Sequence, residues 1–133
     1  MKLTNPVEPK YKITSKFGKR IIDGKEEFHN GIDFGCPIKS YVYACHRGLV
    51  TKIWYDERGG LSLRYQLYSE YEEVKNFIIG IAHLGEVLVG PGDYIERGQP
   101  IALTGNTGRL RGNCLHLTLR KDGEPVDPEP YFL

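Results

Sequence analysis

The sequence carries no surplus of charge. Its 18 Lys and Arg against 17 Asp and Glu leave a formal net charge of +1, which gives no electrostatic footprint for nucleic acid or an anionic lipid surface. No apolar run reaches the ~20 residues that a bilayer-spanning helix needs. Cysteine is scarce. Three residues at irregular spacing are not a disulfide framework, and Cys36 and Cys45, which flank an apparent hairpin, read as buried small apolar residues rather than as a pair. Nothing shows the long 3.6-residue periodicity of an amphipathic helix, and there is no repeat or low-complexity linker. The opening MKLTNPVEPKYK is polar and proline-punctuated, without an apolar leader. At 133 residues the chain can close one core without disulfides or a partner, and a monomer is expected.

The pattern that is present belongs to a mainly β, antiparallel, compact single domain. Gly48 to Tyr55, Leu61 to Tyr68 and Asn76 to Leu84 are rich in β-branched and aromatic residues, with Gly, Asp and Asn clusters between them. Gly59-Gly60 marks a hairpin turn, and Ser69 to Asn76 reads as a longer hairpin connection. Shorter strands are expected at Ile32 to Phe34, Tyr41 to Ala44, Pro100 to Thr104 and Leu115 to Arg120. Residues 1–12 read as an extended arm ahead of a domain over residues 13–133, and VDPEPYFL as a proline-stiffened tail.

The residues that could carry chemistry fall in three segments: His29 and Asp33 in FHNGIDFG, His83 in IAHLG, and Cys114 and His116 in GNCLHLTLR. Two histidines and one carboxylate are the ligand set of a catalytic zinc site, which keeps a fourth position open. Residues two apart on a strand share a face, so Leu115, Leu117 and Leu119 point one way, and Cys114, His116 and Thr118 the other. His29 and Asp33, four apart, share a side in strand or helix, and Gly31 between them disfavours a helix and permits close backbone approach. Each residue alone is ordinary. His46, in the turn-like CHRG, reads as a surface or hydrogen-bonded core histidine, and His83 could simply end a strand. Spacing alone leaves both readings open.

Several short motifs in order, from about Ile13 to Leu133, resemble the lysostaphin-type zinc endopeptidases that cut peptide bonds in bacterial cell walls. SKFGKR resembles that family's opening strand and turn, FHNGIDFG its His-x-Gly-x-Asp motif, and PIKSYVYACHRGLV the hairpin that follows. IAHLG resembles its strand-ending His-Leu, GDYIERGQPIALTGNTGR its glycine-rich connection, and VDPEPYF its terminal Asp-Pro turn. The resemblance implies zinc held by His29, Asp33 and His116. It implies that His83 is one of two active-site histidines positioning the attacking water and stabilising the oxyanion. It also implies the peptide part of peptidoglycan as substrate, with Tyr41, Tyr43 and the hairpin from Trp54 to Lys75 as candidate groove walls.

One position departs from the family pattern. The second active-site histidine belongs two residues before the last ligand, where this chain has Cys114. Three readings of Cys114 are open: a weak stand-in for the histidine, a fourth zinc ligand through its thiolate, or a residue that disables the enzyme. A free thiol is a poor hydrogen-bond partner when neutral, and loss of a general acid-base group costs about 10²- to 10⁴-fold in rate. The expected function is therefore a zinc endopeptidase of peptidoglycan, weakened by Cys114. The alternative is a zinc-binding but inactive cell-wall binding, regulatory or phage structural module. Action at the cell wall without a visible leader points to delivery by a phage, as in an endolysin, or to a leader removed from the chain as given.

Overall fold

A computed structural model describes residues 1–108 and 112–132. Arg109, in the glycine-rich connection, and Leu133, at the end of the tail, lie outside the described residues. The described residues form strands β1 (Ile13–Ser15), β2 (Gly18–Ile22), β3 (Lys25–His29), β4 (Ile32–Gly35), β5 (Tyr41–Tyr43) and β6 (Gly48–Asp56). They continue as β7 (Gly60–Leu67), β8 (Phe77–Val87), β9 (Tyr94–Ile95), β10 (Pro100–Thr104), β11 (Cys114–Lys121) and β12 (Glu124–Val126), and end in a 3-10 turn at Glu129–Tyr131. The main sheet runs β1-β4-β11-β8-β7-β6-β9, with β10 bridging β8 and β5, and β12 on the edge of β11. All its pairings are antiparallel. This is the mainly β antiparallel fold expected from the sequence, and Ser69 to Asn76 forms a connection rather than a helix.

Alternation explains the layering. Along β11 the leucines at 115, 117 and 119 are fully buried, whereas Cys114, His116 and Thr118 are only partly so. Along β7, Leu63, Tyr65 and Leu67 face the same core, and β8 adds Ile79 and Ile81. The phenol of Tyr65 is enclosed there and accepts the Cys45 N–H at 3.1 Å. Cys36 and Cys45 are free thiols buried in this core.

One region differs from the sequence reading, and a second adds packing that the reading did not include. The hairpin β2–β3 forms a separate two-stranded sheet where one strand and a turn were expected. Its second strand, KEEFH, has little β-propensity and is exposed except at His29. Cross-strand pairs such as Arg20–Glu27 at 2.6 Å and Lys19–Glu26 at 3.6 Å help to hold it. Residues 1–12, read as an arm, contribute Leu3 and Val7 to the core. Leu3 bridges Phe132 in parallel, and the Arg97 guanidinium donates to the Lys2 and Cys45 carbonyls at 2.9 and 3.0 Å.

His46 is a hydrogen-bonded core residue. It is buried, and its Nδ1–H donates to the Arg47 carbonyl at 2.8 Å. Burial lowers its affinity for a proton, and the bond to Arg47 only partly offsets this. A folded pKa below the unfolded value of about 6.5 makes the unfolded chain bind more protons, so stability falls as pH drops from there through the folded value. In urea titrations between pH 7 and pH 5, His46→Gln is expected to flatten that loss relative to the parent. An unchanged slope would show that His46 contributes none of it.

Candidate metal centre

The ladder between β4 and β11 sets His116 directly across from Asp33, and β3 delivers His29 at its end, one short link before β4. His29 Nε2 and Asp33 Oδ1 are 3.3 Å apart, His29 Nε2 and His116 Nδ1 are 3.3 Å apart, and His116 Nδ1 and Asp33 Oδ1 are 2.7 Å apart. Ligand atoms about 2.0–2.2 Å from a tetrahedral ion sit roughly 3.3–3.6 Å from one another. Two of the three edges have that length, and the third is a hydrogen bond. His29, Asp33 and His116 form a group whose ligand atoms all lie within 4.8 Å of one another; among the described residues it extends to neither His83 nor Cys114.

The surrounding bonds fix which ring atom each histidine offers. The Nδ1–H of His29 donates to the Lys16 carbonyl at 2.9 Å, leaving Nε2 for the centre. The Nε2–H of His116 donates to Asn30 Oδ1 at 3.2 Å, so Nδ1, whose N–H faces Asp33 Oδ1 here, is the atom that would give up its proton to a metal. Such outer partners orient metal-binding imidazoles. Burial pushes the Asp33 carboxyl up, but hydrogen bonds from His116 and His29, and then their charges, outweigh it and hold the group well below the usual carboxylate range. Arg20 Nη1 adds a longer contact to Asp33 Oδ2 at 3.6 Å. Two imidazole nitrogens and an ionised carboxylate, converging from rigid elements, fit a zinc ion.

His83 sits beside this group, its ring centroid 6.2 Å from that of His116. Up to Ala82, β8 pairs with β11; from Leu84 onward it pairs with β10. At the switch His83 takes a left-handed backbone, φ 64°, a costly conformation for a non-glycine residue. Bonds on both sides hold it: His83 N–H donates to the Gly59 carbonyl at 2.7 Å, and Gly105 N–H to the His83 carbonyl at 3.0 Å. Its Nδ1–H donates to the Thr107 carbonyl at 2.8 Å. Burial holds the ring below the ordinary imidazole value, so Nε2 can accept a proton at neutral pH. Cys114 is half-buried on the same strand face as His116. Burial, and then the Asp33 charge, push its thiol up to about 11.

A cleft of about 450 Å³ runs from His29 and His116 between the β2–β3 hairpin, with Arg20 and Phe28, and the β6–β7 hairpin, with Trp54 and Arg64. Trp54 is therefore a wall, as expected. Tyr41 and Tyr43, the other aromatics read as groove walls, do not line it; their rings lie 6.3 Å apart on β5. Sequence reasoning did not single out Asn30 or Thr107, which bind the site histidines. Their segments flank the motifs, but an Asn or Thr in a glycine-rich stretch carries no signal of its own.

A family model described as Peptidase family M23 matches residues 27–128. Over 125 residues, 92% of this chain, the sequence is 34% identical to the peptidoglycan DD-endopeptidase ShyA of Vibrio cholerae serotype O1, covering 28% of that protein. The chain thus spans little more than a quarter of this curated relative. Among solved structures, a zinc containing peptidase from Vibrio cholerae superposes with a TM-score of 0.82 at 36% identity, over 92% of this chain and 37% of that one. The catalytic domain of lysostaphin from Staphylococcus simulans superposes with a TM-score of 0.78 at 25% identity, over 92% of both chains.

Gly31 is the point where the β3–β4 link touches β11. A Cβ there would collide with the Leu117 carbonyl oxygen and lie 3.0 Å from His116 Cε1. The first obstacle is backbone, so the link itself would have to move. Gly31→Ala is expected to lower stability by about 1–3 kcal/mol, as overpacking does, and to weaken zinc binding at least tenfold. Urea unfolding and competition with a chromophoric chelator check both. Parent-like zinc affinity would show that the site tolerates a displaced link.

Proposed function

The chain belongs to peptidase family M23, and from that membership we propose that it is a zinc-dependent endopeptidase acting on peptide cross-links or bridges of bacterial peptidoglycan, slowed by Cys114. The observation that carries this reading is the convergence of His29 Nε2, Asp33 Oδ1 and His116 Nδ1 at one end of an open cleft. A DD-endopeptidase relative and a zinc-containing structural neighbour support it. Such a substrate places the action at the bacterial cell wall.

His29, His116 and Asp33 would hold the zinc, which when bound supplies a Lewis acid that polarises a carbonyl and activates water. The protein's own groups do the positioning. His83 is rigid because its backbone is bonded on both sides and its Nδ1–H is committed to Thr107. Its Nε2 can accept a proton, and once protonated can donate to the developing oxyanion. Trp54 and the β2–β3 hairpin bound the cleft in which an extended peptide lies. Cys114 stands where a second imidazole would share the proton work, and a neutral thiol is a weak donor and acceptor. The thiol lies outside the group of three ligand atoms, which disfavours its reading as a fourth ligand.

Cys114 is also the specific observation that favours a second reading, a zinc-binding module without turnover. Three measurements separate the two: zinc content, hydrolysis of purified cross-linked muropeptides, and both again for Cys114→His and His29→Ala. The peptidase reading expects near-stoichiometric zinc and slow hydrolysis by the parent. Cys114→His should raise the rate by about 10²- to 10⁴-fold, and His29→Ala should abolish it. Zinc binding with no turnover by either the parent or Cys114→His would establish the non-catalytic module.

A further inference from the structure

The cleft carries more positive charge than its catalytic end uses. Four arginines line it, Arg20, Arg58, Arg64 and Arg120, against the acidic Glu27 and Asp56. Arg20 is paired: its Nε donates to Glu27 Oε1 at 2.6 Å. Asp56 is committed to its own turn. It accepts the backbone N–H groups of Arg58 at 2.9 Å and Gly59 at 2.6 Å, and the indole N–H of Trp54 at 2.9 Å. Arg58, Arg64 and Arg120 form no ion pair with a carboxylate among the described residues.

Arg64 is built into place. Asp56 fixes the Trp54 indole, and the Arg64 guanidinium lies over that ring, 5.3 Å from its centroid, with Lys52 Nζ 5.0 Å from the same ring. A guanidinium stacked on an aromatic face keeps its N–H edge free to take a carboxylate through two bonds. Lys52 and Arg64 are also direct partners across the β6–β7 ladder, and like charges so placed repel. An external anion would relieve that repulsion.

Arg120 lies on the same face of β11 as His116 and Thr118. Its Nη1 donates to the Gly123 carbonyl at 3.2 Å, which anchors one edge of the group and leaves others free. Between the two arginines runs β8, where Gly80 is the register partner of Arg64 on one side and Thr118 on the other. With no side chain at Gly80 the floor is low, and a bound chain can reach both cations.

We infer that Arg64 and Arg120 form an anion subsite on the cleft floor that takes free carboxylates of the substrate peptide, so that the chain selects carboxylate-bearing stem peptides over uncharged glycyl bridges. The identity of the substrate rests on the peptidase reading above; the charge and geometry of the subsite do not.

The test is calorimetric binding of uncross-linked synthetic stem peptides, which contain no scissile cross-link, to the full chain at low ionic strength. One peptide carries its γ-linked glutamate and diamino-acid carboxylates free, the second has them amidated, and the third is pentaglycine. The parent should bind the free-carboxylate peptide at least tenfold more tightly than either other, with the preference shrinking as salt rises. Arg64→Gln and Arg120→Gln should each cut that ratio to about threefold or less, whereas Arg64→Lys should retain part of it. Lys10→Gln, an equal charge change at an exposed residue outside the cleft, should leave the ratio intact. Equal binding of all three peptides by the parent, binding of none, or a full ratio in both glutamine variants would overturn the subsite. A chain that discriminates but never hydrolyses muropeptides would sink the peptidase reading alone, and one that hydrolyses them without discriminating would sink the subsite alone.

Discussion

The register of β4 against β11 is the constraint on which the centre depends. It places His116 opposite Asp33, and because side chains alternate with a period of two, a slip of β11 by one residue would turn His116 into the core and bring its leucines to the surface. The register is therefore held by apolar burial as much as by hydrogen bonds: Leu115, Leu117 and Leu119 have nowhere else to go. Gly31 tightens the same contact from the other end, letting the β3–β4 link approach the β11 backbone so closely that no side chain fits. His29 reaches the pair only through that approach. Three ligands from three strands thus answer to one packing decision.

The legible part of this molecule in its sequence was the part governed by alternation. The long strands from Gly48 to Leu84, the two faces of β11 and the pairing of Cys114 with His116 on one face all follow from a period of two and turn residues at the gaps. The hairpin β2–β3 was harder to see because KEEFH holds its place largely through ion pairs across the ladder, which leave no hydrophobic pattern. The packing of residues 1–12 was hidden for the opposite reason. Two isolated apolar residues, Leu3 and Val7, are too few to show periodicity, yet they are buried against the core. For the site, spacing suggested candidates, but which histidine nitrogen faces the centre depends on Lys16, Asn30 and Thr107, residues whose types say nothing about it.

His83 shows how the fold accommodates a strained position. A left-handed backbone at a histidine is stable only where its surroundings over-determine it. Here the strand changes partner from β11 to β10 at that residue, and bonds from Gly59 and Gly105 close on either side. The strain re-aims one side chain in the middle of a strand, so that a ring follows Ala82 beside the centre without disturbing the ladder before it. The local cost is set against the pairing of the whole of β8, the longest strand among those described.

The electrostatics of the cleft divide along its length. At one end a single carboxylate, Asp33, is shared between two imidazoles and approached by Arg20, which keeps it ionised despite its burial. That same negative charge works against Cys114: burial and Asp33 together hold the thiol protonated at neutral pH. A second imidazole at this place would meet the opposite condition, since a nearby carboxylate favours its charged form. In the protein alone this favours a base that becomes a cation on accepting a proton over an acid that becomes an anion on losing one; a bound zinc ion would reverse that sign. On the proposed reading proton transfer would fall to His83, whose Nδ1–H is committed to the Thr107 carbonyl and whose Nε2 is left to accept.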